Sequence, residues 1–185
     1  LALDRAIYVD TPMALSFGSV RSDSIFWSDL RKMMKSSPMP VSPTTLKLLI
    51  RVRRLLGGDV RVQDNMYQGK ELHFIRKDDG LNIKLEDTAT GMKTFAYILK
   101  LIENGFLNER TLLLIDEPEA HLHPKWIFEF AHLLVLLNKE LDVKVMVASH
   151  NPDMVAAIQK VSQVEDVIDR THFYQAYPQD EGYQF

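Results

Sequence analysis

The sequence predicts an α/β fold with parallel strands, a helical lobe and a small antiparallel meander. An uninterrupted apolar run, residues 112–115, and a second apolar strand-like run, residues 143–148, are separated by a helix-length segment. This is the pattern of a βαβ unit whose strands are buried in a parallel sheet. Upstream, apolar residues recur at helical spacing over 46–56, and short alternating runs occupy 60–85. The chain therefore combines a parallel sheet with a second, antiparallel one.

Composition narrows the class of protein. The 185 residues carry a net charge of −3 and no cysteine, which argues against a strongly basic nucleic-acid binder and leaves no disulfide or cysteine-based zinc site. The longest apolar runs are far shorter than the ~20 residues that cross a bilayer. The first residues include Asp4 and Arg5 rather than a signal-peptide core. We therefore expect a cytoplasmic protein with no membrane partner.

The N-terminal part begins with a strand and continues as helices. Residues 6–9 form a short strand candidate, and aromatic and apolar residues at helical spacing predict an amphipathic helix within 16–37. Three prolines then mark a loop. Ser42 or Thr44 is positioned to cap a second helix that ends at Gly57-Gly58.

This second helix has two different faces. Leu46, Leu49 and Ile50 define an apolar stripe that continues to Leu56. The other face is basic and carries Lys47, Arg51, Arg53 and Arg54. A basic face of this kind can contact nucleic-acid phosphates, but a solvated surface helix explains it better.

Residues 59–85 predict the antiparallel meander. Apolar residues nearly alternate in three short runs, and the breaks fall at Gly69 and at Asp78-Asp79-Gly80. A Gly-containing turn between alternating runs is typical of a β-hairpin.

Polar side chains follow both parallel strands. Asp116 and Glu117 come directly after the first strand, and Ser149 and His150 follow the second. The carboxyl ends of parallel strands meet at one edge of a sheet, where active sites collect. An apolar strand that ends in Asp-Glu is typical of a Walker B element, in which the first acid holds Mg²⁺ and the second polarises the attacking water.

At these residues the chain resembles the C-terminal part of an ABC-type ATPase head, of the SMC-like and OLD-like bacterial AAA ATPase group. Asp116-Glu117-Pro118 is similar to the Walker B motif with its catalytic glutamate. Residues 119–124 resemble the D-loop of that group, and residues 149–152 its switch-histidine segment. The resemblance covers residues 86–158 well and implies a P-loop NTPase fold.

The segment before the helix at 92–103 resembles a degenerate signature motif. Gly91 takes the glycine position and Lys93 the basic one, whereas the usual serine is replaced by Ala89 between Thr88 and Thr90. A helix that begins here can receive phosphate oxygens on its free N–H groups. Taken alone, the segment is explained equally well by a capped helix start, but its position before the Walker B element favours the signature motif.

The resemblance implies the roles of the site residues. Glu117 would act as the catalytic base, His150 would contact the γ-phosphate, and Asp116 would hold Mg²⁺. The other implied contacts with ATP come from Thr88, Thr90, Gly91, Lys93 and His121.

Two other interpretations of these residues exist. His121 and His123, with Glu119 and His150, have side chains that suit zinc or iron. Ser149 next to His150 suggests a hydrolase, but neighbours on a strand point to opposite faces, and the sequence has no Gly-x-Ser-x-Gly elbow.

The sequence contains no P-loop. Gly-Lys occurs once, at Gly69-Lys70, without the upstream glycine and the following Ser or Thr that cradle phosphates. Because the chain also begins with leucine, we expect residues 1–185 to be a partial head that is inactive alone. We expect a helical insertion at about 11–58 and the signature, Walker B, D-loop and switch region at about 86–175.

The resemblance also implies a mechanism and partners. Two heads would form a homodimer that encloses ATP and Mg²⁺, and hydrolysis would drive a DNA-repair or phage-defence effector. DNA or a nuclease is the expected partner. The alternative is an ATPase-like module that dimerises or docks a partner without hydrolysis.

Overall fold

The computed structural model describes residues 2–9, 25–66, 69–120, 122–179 and 182–184, which form five α-helices and eight β-strands. The helices are α1 (Ile25–Met34), α2 (Pro43–Leu56), α3 (Thr90–Glu103), α4 (Pro124–Leu141) and α5 (Pro152–Val164). The strands are β1 (Arg5–Val9), β2 (Gly58–Asn65), β3 (Gly69–Arg76), β4 (Asn82–Lys84), β5 (Thr111–Asp116), β6 (Lys144–Ala148), β7 (Tyr177–Gln179) and β8 (Gly182–Gln184).

The parallel sheet has the strand order β1-β5-β6, and α4 connects its last two strands. This confirms the predicted βαβ unit. On one face Leu113 and Ile115 of β5 are buried with Ile7 and Val9 of β1. On the other face Leu112 and Leu114 are half-buried and Met146 is exposed. The expectation that β5 is buried on both faces is thus met on one face only, because no described helix covers the second.

Helix α3 forms the centre of the core. Every residue from Lys93 to Ile102 is buried, so the helix is surrounded rather than amphipathic. Phe95 makes edge-to-face contacts with Trp126 and Phe130 of α4, each at 5.2 Å between ring centroids. Such aromatic pairs contribute about 0.5–1.5 kcal/mol each beyond the burial of their area. They fix α3 against α4, which connects the carboxyl end of β5 to the start of β6.

Helix α2 has the predicted ends but a different buried face. The Ser42 side chain accepts a hydrogen bond from the N–H of Thr45, and Gly57 ends the helix in the left-handed region at φ 67°. Leu46 and Ile50, however, are 46% and 49% exposed. The spacing of 46, 49 and 50 fits a helix face, but another stripe points inward. The buried stripe consists of Leu48, Leu49, Val52 and Leu56.

Two of the four basic residues of α2 form ion pairs with other elements of the molecule. Arg51 pairs with Glu129 at 3.2 Å, and Arg53 pairs with Asp59 at 2.9 Å and with Glu103 at 2.6 Å. These ion pairs attach α2 to α4, β2 and α3. Two of the four cations on this face are therefore engaged in ion pairs, which weakens its interpretation as a nucleic-acid surface.

The meander β2-β3-β4 is antiparallel, as predicted. At Gly58 an added Cβ would lie 2.3 Å from the carbonyl oxygen of Ile75, so only glycine allows this approach of the two strands. In the β3–β4 turn, the Arg76 guanidinium donates two hydrogen bonds to Asp79. This pairing lowers the pKa of Asp79 to about 2.

None of the helices in the described ranges has the length and apolarity to cross a membrane. The predicted helical insertion begins at about residue 11, and its residues 11–24 lie outside the described residues.

Candidate active site

The carboxyl ends of β5 and β6 bring Glu117 and His150 together. Asp116 is paired with Ala148 in the sheet, and the N–H of Glu117 donates to the carbonyl of Ala148 at 2.8 Å. Beyond this bond the two strands end. The Glu117 Oε1 lies 2.8 Å from Nδ1 of His150, although the side chains are 51% and 79% exposed.

The backbone at Glu117 adopts an uncommon conformation. Its φ is +44°, in the left-handed region that costs a residue with a Cβ about 1–2 kcal/mol. The sharp turn ends β5 and starts the loop to α4. Strain of this kind concentrates at functional sites, and here it occurs at the predicted catalytic base.

Asp116 is half-buried at the last position of β5. Magnesium usually retains several waters and binds one or two carboxylates together with substrate phosphates. The described residues include no cluster of three or more His, Asp or Glu side chains that would enclose a metal ion. A single half-buried carboxylate at this edge therefore fits Mg²⁺ that arrives with a nucleotide, and it does not fit a dedicated protein cage.

A partly buried contact between the two loops was not predicted from the sequence. Glu119 is only 6% exposed, and its Oε1 accepts a hydrogen bond of 2.5 Å from the Ser149 hydroxyl. The same hydroxyl accepts from the N–H of Asn151 at 3.1 Å. The sequence places both residues in loops that follow adjacent strands, but nothing local indicates that Glu119 turns inward.

The predicted signature segment lies at the start of α3. The N-cap is Ala89, which provides no side-chain cap, and the first N–H groups of a helix lack intrahelical acceptors. Thr90 and Gly91 are half-exposed there. The Thr88 hydroxyl, by contrast, is buried and donates to the carbonyl of Leu85 at 2.7 Å.

Lys93 is also buried, with 4% of its surface exposed. Burial lowers the pKa of Lys93, and the carboxylates of Asp87 and Glu86 oppose that shift. The structure thus places the predicted signature side chains in two environments, an accessible helix start and a buried first turn.

The histidines of the D-loop segment have separate positions. His121 lies outside the described residues. His123 caps α4, where its Nδ1 accepts from the N–H of Lys125 at 3.3 Å. Glu119 is bonded to Ser149, and His150 is in contact with Glu117, so the described side chains give the zinc or iron interpretation no support.

Comparison with known proteins identifies the class. Residues 18–156 match the family model described as "AAA domain, putative AbiEii toxin, Type IV TA system". The match covers most of the chain, and the chain belongs to this family of ATPases.

The fold agrees with this assignment. A solved structure from work on ATP-driven dimerisation and DNA-stimulated activation of SMC ATPases superposes with a TM-score of 0.52 at 15% identity, and the match covers 85% of each chain. The Smc head domain of Pyrococcus furiosus, solved with an extended coiled coil and the C-terminal domain of ScpA, gives a TM-score of 0.46 at 16% identity over 71% of this chain and 31% of that one. The first of these structures shows a P-loop NTPase fold of the SMC-head type, as the sequence predicted.

One curated relative is a transporter ATPase. The energy-coupling factor transporter ATP-binding protein EcfA3 of Clostridium perfringens is 35% identical over 72 residues, which are 38% of this chain. The matched segment spans a quarter of the relative's length. These comparisons confirm the resemblance to ABC-type and SMC-type ATPase heads.

Proposed function

We propose that this chain supplies the hydrolytic half of a composite ATP site. Glu117 acts as the general base, His150 contacts the γ-phosphate, and Asp116 holds the magnesium ion. The single observation that supports this assignment best is the 2.8 Å contact between Glu117 and His150 at the carboxyl edge of the sheet. It brings together, at contact distance, the two residues that such chemistry needs.

The geometry supports a particular division of work within this pair. The contact with His150 engages Oε1 of Glu117, and we assign Oε2 to accept the proton of the attacking water. His150 orients the carboxylate and reaches the phosphate with the rest of its exposed ring. Bound Mg-ATP would supply the electrophilic γ-phosphate and a metal ion that neutralises its developing charge.

We further propose that a second head completes the site in a homodimer. Thr90 and Gly91 would receive phosphate oxygens of the partner's nucleotide at the start of α3, where no side chain caps the helix. The roles predicted for Thr88, Lys93 and His121 stay predictions. Since the sequence has no P-loop, we assign the phosphate cradle to another part of the complete protein.

The proposed biological role is to power a DNA-repair or phage-defence effector, with DNA or a nuclease as partner. The family description names a toxin–antitoxin system, and the work on the structurally similar SMC ATPases describes DNA-stimulated activation. Stimulation of ATP turnover by double-stranded DNA would test the DNA-binding part of this role. Turnover that is unchanged by DNA would leave a protein effector as the remaining candidate.

The test of hydrolysis is Glu117→Gln in the complete protein. We expect ATP turnover to fall by about 10²–10⁴-fold, the usual contribution of a positioned general base, while ATP binding is retained. Glu109→Gln is the matched control, because Glu109 is exposed and lies outside the site. A non-hydrolysing docking module predicts the opposite result, in which Glu117→Gln has no effect on turnover.

A further inference from the structure

We propose that Glu119 is a positioning residue, which holds the loop between β6 and α5 (residues 149–151) through Ser149 and so keeps His150 against Glu117. The proposal rests on the proposed function, because it concerns the same site. It assigns a role to a residue that does not itself contact the nucleotide.

Two hydrogen bonds join the segments that follow β5 and β6. The first runs from the Glu117 N–H to the Ala148 carbonyl at 2.8 Å, and the second is the partly buried bond from the Ser149 hydroxyl to Glu119. His150 follows Ser149 directly. Fixing the Ser149 side chain therefore limits the positions that the His150 ring can reach.

The loop that bears Glu119 is itself tightly folded. The N–H of Ala120 donates to the Glu117 carbonyl at 2.9 Å, and the N–H of Leu122 donates to the Glu119 carbonyl at 2.8 Å. These bonds connect the backbone of Glu119 to the strained turn at Glu117. A change in the D-loop would thus reach both the base and, through Ser149, the histidine.

The burial of Glu119 argues against a purely structural role. Its Oε2 is buried and has no hydrogen-bond partner among the described residues. A buried polar atom without a partner destabilises the fold, whereas an apolar side chain at this position would carry no such cost. A buried carboxylate that costs stability, next to the proposed catalytic pair, is the pattern expected of a functional residue.

The test is a double-mutant cycle in the complete protein with Glu119→Ala, Ser149→Ala and both together. We expect each single variant to lower kcat about 10- to 100-fold, because a misplacement of about 1 Å can cost that much. KM for ATP should stay within about twofold, since neither side chain is assigned to binding. The double variant should be no slower than the slower single variant, because both changes break one hydrogen bond.

Glu119→Gln distinguishes positioning from packing. Its amide oxygen can still accept from the Ser149 hydroxyl, so we expect kcat to recover most of the loss seen in Glu119→Ala. Melting temperatures of all variants report stability separately. If Glu119→Ala fails to fold, Ser149→Ala alone decides, since it removes only one hydroxyl.

The outcomes separate this proposal from the proposed function. If the wild type is active and both Ser149→Ala and Glu119→Ala have normal kcat, the role of Glu119 is overturned but the proposed function is not. Losses in the double variant that multiply, or a Gln variant as slow as the Ala variant, would also overturn that role. A wild-type complete protein without ATP turnover would overturn the proposed function, and this role with it.

Discussion

The carboxyl edge of the parallel sheet and the start of α3 bear the two halves of the predicted site, and they hold their side chains in opposite ways. At the sheet edge, Glu117 and His150 are both exposed, and their side chains are in contact, with 2.8 Å between Oε1 and Nδ1. At the start of α3, Thr88 and Lys93 are buried, and the Thr88 hydroxyl is bonded to the Leu85 carbonyl. The other two predicted ATP contacts of this segment, Thr90 and Gly91, are half-exposed.

This difference indicates how each half would act. The sheet edge presents side chains that are already oriented, as general acid–base chemistry requires. The helix start presents mainly backbone N–H groups and a positive dipole end, which bind phosphate without a particular side chain. Substitution of side chains should therefore affect the first half more strongly than the second.

The largest of the effects that test this contrast is expected for His150→Ala. It removes the partner of Glu117 and the proposed γ-phosphate contact, so we expect kcat of the complete protein to fall about 10²-fold. His172→Ala serves as the control, because His172 is exposed and far along the chain from the site. Steady-state ATP turnover measures both, and equal activity of the two variants would remove His150 from the site.

A smaller effect is expected for Gly91→Val at the helix start. Valine is a better helix former than glycine, so α3 should persist, but the added side chain would obstruct the approach of a phosphate to the backbone. We expect turnover to fall about tenfold. Glu86→Gln is the control, because Glu86 is exposed, lies just before this segment and has no predicted contact with ATP; its turnover should be preserved. Loss of turnover in Glu86→Gln but not in Gly91→Val would contradict the assignment.

The smallest effect concerns the pH dependence of stability at Lys93. Burial lowers the pKa of Lys93 in the folded state, so the unfolded chain binds more protons between the two pKa values and stability rises with pH there. Wild type should therefore gain in melting temperature relative to Lys93→Met as the pH rises from neutral towards the ordinary lysine pKa. Lys125→Met, at an exposed position, should show no such trend. A constant difference between wild type and Lys93→Met across this range would contradict the burial of a charged lysine.

Local sequence patterns predicted the strands, the helix ends and the edge of the sheet where the polar residues meet. The apolar runs before Asp116 and Ser149 located β5 and β6, and the rule that parallel strands end at one edge placed Glu117 beside His150. The cap at Ser42 and the left-handed Gly57 were likewise readable from residue type.

Features that depend on tertiary contacts were not predictable in this way. The bond between Glu119 and Ser149 joins residues 30 positions apart, and the pairing of Arg51 with Glu129 spans 78. Helical periodicity gave two possible apolar stripes for α2, and contact with the rest of the molecule selected the one without Leu46 and Ile50. The spacing of residues along the sequence does not show which distant residues will be in contact.

The central claim, that one head supplies the hydrolytic edge and another supplies the helix start, is tested most directly by mixing two impaired variants. Complete proteins with Glu117→Gln and with Gly91→Val would be combined in equal amounts before ATP is added. In a two-fold symmetric dimer the mixed pair has one site with both halves intact, so we expect turnover to rise to about a quarter of the wild-type value. Turnover equal to the mean of the two separate variants would show that each head uses its own helix start, and would contradict the account.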